Sequence, residues 1–282
     1  MKRLIRVFPR RTNATPIDAL AFVGEPTLFV PAADEVHISV TFTWDLPLAE
    51  KLAKAWERYG TVQIGGPATG MRGDEFTPGM YLRPGYTITS RGCPNRCWFC
   101  DVWKREGAIR ELPIMDGWIV NDDNLLACSE SHIRAVFNML SRQPRRAEFI
   151  GGLEASRLLA WHVDEFVKLK PTSLWFACDE ETDIEPLSVA GKLLREAGLS
   201  LTSSGNVSHR MRCYCLVGWP KDSMDSADKR LRTVYSLGFL PMAMLYRNAN
   251  GDTDYSWRRF QRWWARPASI NRMCRDCLKA LP

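Results

Sequence analysis

Three thiols stand within the stretch Cys93-Pro94-Asn95-Arg96-Cys97-Trp98-Phe99-Cys100, in a Cys-x3-Cys-x2-Cys spacing. Thiolates this close repel one another and oxidise readily, so a bound metal or cluster is the economical explanation. A structural zinc takes four protein ligands, and between Cys100 and Cys128 no cysteine or histidine offers a nearby fourth. Most cubane iron–sulfur clusters also take four cysteines, so three would leave one iron open to a small molecule. A three-thiol zinc or other structural site is the alternative.

The elements around these thiols follow from periodicity. A β-type run, Tyr86–Ser90, leads directly into the loop, and from it a strand-and-helix repeat of roughly thirty residues sets in, the size of one strand-helix-strand unit. The expected strands are Tyr86–Ser90, Trp118–Asn121, Ala147–Ile150, Ser173–Ala177, Met211–Val217 and Met242–Tyr246. Expected helices run over Ser131–Leu140, Ser156–Leu169, Pro186–Ala197 and Ser226–Leu237. Alternation of this kind predicts an α/β fold with a parallel sheet, and the regular spacing allows a partly closed barrel. Upstream, Val36–Thr43 alternates as a strand, Asp45 can cap a helix with Leu48, Leu52, Trp56 and Tyr59 on one face, and Thr61–Ile64 reads as a second strand. Residues 1–80 are thus expected to form a small N-terminal α/β lobe.

Ligands of parallel α/β folds sit at the C-terminal strand ends, and polar residues or glycines gather there. Asp122-Asp123-Asn124 follow the second strand, Gly151-Gly152-Leu153-Glu154 the third and Asp179-Glu180-Glu181 the fourth. Val217-Gly218-Trp219-Pro220 ends the fifth and Tyr246-Arg247 the sixth. Ordinary turns and helix starts would account for the same acids: an Asx-type turn at Asp122–Asn124, and capping at Glu154 and Asp179–Glu181. Arg247 could receive a carboxylate or phosphate, or simply be solvated.

The cysteine loop resembles the signature of the radical S-adenosylmethionine (radical SAM) superfamily, with Phe99 at the aromatic position before the third cysteine. The resemblance implies a partial (β/α)6 barrel over residues 81–248 and a 4Fe-4S cluster held by Cys93, Cys97 and Cys100. The open iron would chelate S-adenosylmethionine, whose reductive cleavage yields a 5'-deoxyadenosyl radical that abstracts hydrogen from a substrate. It further implies an electron donor such as a flavodoxin or ferredoxin. Asp122, Asp123 and Asn124 stand where the family usually carries a Gly-Gly-Glu segment receiving the SAM ammonium; Gly151, Gly152 and Glu154 are candidates for SAM or substrate contact, Asp179 and Glu180 for ribose, and Gly218 for the adenine approach. The lobe with Gly65-Gly66-Pro67 resembles an abbreviated form of the cobalamin-binding domain that precedes some members. The lower-ligand motif Asp-x-His-x-x-Gly is absent, and His37, the only histidine before the loop, sits in a strand pattern; the lobe therefore reads as packing or substrate-covering, with a cobalamin-dependent methyltransferase kept as an alternative.

Other features bound the partners. Cys213 and Cys215 share a strand face and, with Cys274 and Cys277, could form a second site for zinc or an iron–sulfur cluster; Cys128 and Cys178 read as core. Residues 249–282 are expected to form a basic, aromatic helical extension; over residues 255–266, Trp257, Phe260 and Trp264 share one helical face and Arg258, Arg259, Arg262 and Arg266 occupy the other. That pattern fits a helix closing the barrel, or a surface for nucleic acid or a nucleotide, with basic groups on phosphates and aromatics on bases. A structural, non-catalytic nucleic-acid-binding module is the corresponding alternative to an enzyme. A net charge of +6 over 282 residues points only weakly toward anionic partners. With 45% hydrophobic residues the chain has ample core, and neither an apolar run of membrane-spanning length nor a secretory signal is found. Nine cysteines beside an oxygen-sensitive cluster lead us to expect a reducing, cytoplasmic location.

Overall fold

A computed structural model describes residues 2–73 and 75–274. The described residues divide into two compact units, one within residues 1–117 and 249–251, the other within residues 118–248 and 252–282.

In the first unit, β1 (Leu4–Phe8), β2 (Ala21–Val23), β3 (Glu35–Ser39) and β4 (Thr61–Gly65) form a parallel sheet ordered β2-β1-β3-β4. Helix α1 (Leu46–Trp56) connects β3 to β4 and buries Ala49, Leu52 and Trp56. These pack with Ile5, Val7, Val36, Ile38 and Val40 in one apolar core. Leu48, expected on the inner face, is 41% exposed, because the buried row runs through Ala49, Leu52 and Trp56, the i, i+3, i+7 stripe. Asp45 precedes α1 but makes no side-chain cap; its carboxylate is instead ion-paired with the Arg10 guanidinium, Nε–Oδ2 2.6 Å. The strand expected over Val36–Thr43 ends at Ser39, and Thr43–Asp45 forms a 3-10 turn.

The run Tyr86–Ser90 is broken into β5 (Tyr86–Thr87) and β6 (Ser90–Arg91). From Ser90 the chain pairs antiparallel with β7 (Arg110–Glu111), and Thr89 O accepts the Leu112 amide at 2.8 Å. Local alternation could not announce a partner twenty residues ahead. Between β6 and β7 lie the cysteine loop and α2 (Val102–Arg105).

The second unit alternates β8 (Ile119–Val120), α3 (Glu130–Ser141), β9 (Glu148–Leu153), α4 (Ala160–Leu169), β10 (Ser173–Ala177), α5 (Ile184–Glu196), β11 (Met211–Val217), α6 (Met224–Ser236) and β12 (Leu240–Leu245). Its five strands are parallel neighbours in the order β12-β11-β10-β9-β8. Because β8 and β12 are not neighbours, these strands do not close into a barrel. Helix starts follow capping chemistry: Ser129 accepts the His132 amide ahead of α3, and Ser223 the Ser226 amide ahead of α6. Strand β9 continues through Gly151 and Gly152 to Leu153, so the two glycines lie inside the strand rather than after it. The helix expected from Ser156 begins only at Ala160, after a 3-10 turn over Ala155–Arg157. The aromatic stretch expected to be helical, residues 255–266, contains α7 (Trp257–Trp263), and α8 (Pro267–Met273) follows it; Pro267 suits a first helical turn, and its ring disfavours helical backbone at Arg266.

Candidate functional site: a three-thiol loop and the strand ends

The cysteine loop is closed at its neck. Strands β6 and β7 pair where the chain leaves for the loop and where it returns. Just inside, the Cys93 amide donates to Gly107 O at 3.1 Å. Gly92, at φ +88°, packs so tightly there that a Cβ would stand 2.3 Å from Ala108 O; only glycine fits this conformation and approach. At the tip the Cys100 amide donates to Cys97 O at 3.1 Å, and the Trp103 indole donates to the same carbonyl at 3.1 Å. Cys97 is exposed, while Cys93 and Cys100 are half-buried. Phe99 is half-buried, edge-on to the exposed Trp98 ring at 5.3 Å between centroids.

Among the described residues no three His, Cys, Asp or Glu side chains gather closely enough to hold one metal ion. In a cubane cluster each thiolate takes a different iron, so its thiols stand further apart than the ligands of a single ion. The loop offers three thiols, one exposed and two half-buried, within one pinned turn.

Strand ends of the second unit bring several predicted residues together. Asn124, which is buried, donates from Nδ2 to Glu154 Oε2 at 2.6 Å. Glu154 also accepts from Ser156 Oγ and Arg157 Nε, each at 2.8 Å. Burial opposes ionisation of Glu154, but these hydrogen bonds outweigh it and hold the carboxyl below its ordinary value. Glu154 makes no cap to the turn that follows, so capping does not explain it. Asp122 is buried and Asp123 half-buried. Gly151 lies against the backbone of Asp122: a Cβ would stand 1.9 Å from Asp122 O. The glycine therefore serves close strand packing, whereas Gly152, at φ +95°, has open space beside it.

Asp179 accepts the Leu216 amide at 2.7 Å, joining the ends of β10 and β11. Burial, with Asp183 nearby, pushes its carboxyl up to about 6 despite that hydrogen bond. Asp183 in turn accepts the amides of Asp179 and Glu180 at 2.8 and 2.9 Å.

Gly218, at φ +76°, is packed by the chain itself, since a Cβ would stand 3.0 Å from the Trp257 indole. Its amide donates to Asp222 Oδ2 at 2.9 Å. The Asp222 carboxylate is only 1% exposed and pairs with Arg230 at 3.2 Å, whose guanidinium lies 4.7 Å from the Trp219 ring centre. Beside them a groove of about 370 Å³ is lined by Trp219, Tyr246, Asn248, Asp252 and Trp257, among others. Arg247 is exposed.

Compared with known proteins, the chain matches no family model and no curated sequence.

Cys213 and Cys215 share the inner face of β11, fully buried. Burial, together with hydrogen bonding and charge interaction with Cys215, raises the Cys213 thiol, with Cys178 among its neighbours. Cys178 is likewise buried and its thiol raised, while Cys128 is half-buried. Cys274 is buried, and Cys277 lies outside the described residues. His37 sits in β3, with Nδ1 2.6 Å from the Tyr81 hydroxyl and Nε2 3.5 Å from Glu35.

On the tail, Trp257 and Trp264 are buried and Phe260 half-buried, whereas Arg258, Arg259 and Arg262 are exposed. Two aromatics remain outside: Tyr255 at 66% and Trp263 at 51% exposure. Arg258 lies 4.0 Å from the Tyr255 ring centre and Arg259 5.9 Å from that of Trp263. Among the described residues no helix is long and apolar enough to cross a membrane.

Proposed function

We propose that this chain is a radical SAM enzyme. The observation that carries the reading is the three-thiol loop, pinned at both ends of its turn and presenting Cys93, Cys97 and Cys100 with no further cysteine before Cys128 in the sequence. These three thiols would hold a 4Fe-4S cluster, which supplies one-electron reduction of S-adenosylmethionine when bound. The chain's own work is positioning. Gly92 and Gly107 fix where the loop starts, and the Cys97 carbonyl, held by the Trp103 indole and the Cys100 amide, fixes its tip. Glu154, oriented by Asn124 and with its carboxyl held below the ordinary value, offers an acceptor for an ammonium group. A partial (β/α)6 barrel belongs to this proposal; the in-order run of parallel strands supports it. A flavodoxin- or ferredoxin-type electron donor and a reducing, cytoplasmic setting, which an oxygen-sensitive cluster requires, are further parts of the proposal.

The test is anaerobic purification, reconstitution with iron and sulfide, reduction and addition of SAM, beside a Cys97→Ala control. Formation of 5'-deoxyadenosine only with all three cysteines is expected. A colourless, zinc-loaded protein that leaves SAM intact overturns the reading.

A second reading, that the protein engages nucleic acid, is favoured by Tyr255 and Trp263, two exposed rings beside arginines on a segment with no acidic residue between Asp254 and Asp276. It is compatible with catalysis, as a substrate class, or with a binding module alone.

A further inference from the structure

The neck of the cysteine loop encloses a buried carboxylate that no spacing motif pointed to. Glu106, whose side chain is 2% exposed, directly precedes the glycine whose carbonyl receives the Cys93 amide. Its Oε1 accepts from Arg105 Nε at 2.9 Å, its Oε2 from Arg110 Nη2 at 3.3 Å, and both oxygens lie 3.2 Å from the Gly73 amide. Arg110 continues the set by donating from Nη2 to Gly73 O at 2.8 Å, and Arg105 by donating to Pro67 O at 3.3 Å. Arg91 lies alongside on the other strand: a Cβ on Gly73 would meet Arg91 Nε and Glu106 Oε1, each at 3.3 Å, but the Arg91 Nε itself makes no hydrogen bond among the described residues.

These residues bracket the thiols in sequence and join in space. Arg91 and Arg110 are the register partners of β6 and β7, one standing two residues before Cys93 and the other ten after Cys100. Glu106 accepts from two of these guanidinium groups, Arg105 and Arg110, so loss of its charge would take a charged partner from both of these partly buried cations. The displacement would be felt first at Gly107 O and Ala108 O, the two carbonyls against which Cys93 and Gly92 are set.

We propose that Glu106 is the positioning residue of the three-thiol loop, clamping its neck through Arg105, Arg110 and the Gly73 amide so that the thiols are set for the cluster before it binds. This rests on the cluster reading above only for its purpose; the clamp itself is a property of the metal-free chain.

The experiment uses the full chain with Glu106→Gln, and with Arg110→Lys as a milder variant that keeps the charge but loses the planar fork. In the metal-free protein, alkylation of each cysteine by iodoacetamide is followed by mass spectrometry. Cys93 and Cys100 are expected to react about tenfold faster in Glu106→Gln, approaching the exposed Cys97, as follows from loosening a charged hydrogen-bonded set. Cys178, Cys213 and Cys215 serve as internal controls, since a general loss of stability would expose them too. After reconstitution, iron bound per chain is expected to fall by more than about half, with partial loss for Arg110→Lys. Unchanged thiol rates and iron content in a folded Glu106→Gln protein overturn the proposal. If that variant does not fold, thiol rates in Arg110→Lys equal to the parent's overturn it instead. Should the parent itself take up no iron, the cluster reading fails while the thiol rates still decide the clamp.

Discussion

Asn124 Nδ2 stands 2.6 Å from Glu154 Oε2, joining residues thirty positions apart at the ends of neighbouring strands. The amide is buried and the carboxylate side chain 19% exposed, so the pair fixes the direction in which Glu154 presents its charge. Asn124→Asp would set two carboxylates at hydrogen-bond distance, which cannot both ionise comfortably. We expect Asn124→Asp to lose about 2 kcal/mol of stability near pH 8 and distinctly less near pH 5, where one proton can be shared. Urea unfolding at the two pH values measures this, and equal losses at both would count against the pairing.

Gly151 and Asp122 give a steric prediction. With a Cβ forced to 1.9 Å from Asp122 O, Gly151→Ala must separate β8 from β9 or distort one of them. A loss of about 3 kcal/mol is expected in denaturant unfolding, at the upper end for overpacking. Gly152→Ala meets no neighbour within 4 Å, so its cost comes from the positive φ, about 1 kcal/mol.

Asp179 predicts a pH dependence. Burial raises its carboxyl to about 6 from an ordinary value of 3.8, so the folded state holds a proton that the unfolded chain has released. This contribution makes stability fall as pH rises between these values, and the loss is complete above about 6. Asp179→Asn keeps an acceptor for the Leu216 amide and removes the charge. It should therefore stabilise the protein by on the order of 2 kcal/mol near pH 8, an advantage that disappears near pH 4. Thermal unfolding across this range checks it; a variant less stable at every pH would show that the charge is needed.

For the tail, the measurement is binding of a labelled oligothymidylate as salt is varied. Replacing Arg258, Arg259 and Arg262 together by alanine should lower the slope of log affinity against log salt by about 2 if each meets a phosphate, at roughly 0.7 per contact for single strands. Trp263→Ala should weaken binding about tenfold with little change of slope, the mark of lost stacking. A parent protein that binds polyglutamate as tightly as the oligonucleotide would leave only a generic basic surface.

Much of the fold was readable from periodicity because the strands of the second unit are short, apolar and spaced by helices. Ser173–Ala177 and Met211–Val217 fall where expected, and α3, α5 and α6 lie within two residues of theirs. Where reading failed, the cause was non-local. The break of Tyr86–Ser90 depends on a partner strand beyond the cysteine loop, and β2 depends on lying beside β1 rather than on its own three residues.

By itself the sequence determined the thiol spacing, the alternation of strand and helix, and the glycines and acids at strand ends, because these are properties of composition and period along the chain. Only the tertiary structure decided what those residues meet. It set Asn124 on Glu154, turned Gly218 toward Trp257 and Gly151 toward Asp122, and buried Cys213 and Cys215 in the core. It also gathered Arg105, Arg110 and the Gly73 amide around Glu106 at the neck of the loop. The physical reason is that a hydrogen bond, an ion pair or a steric approach depends on distance in space, and residues far apart in sequence carry no local signal of the partner that folding will give them.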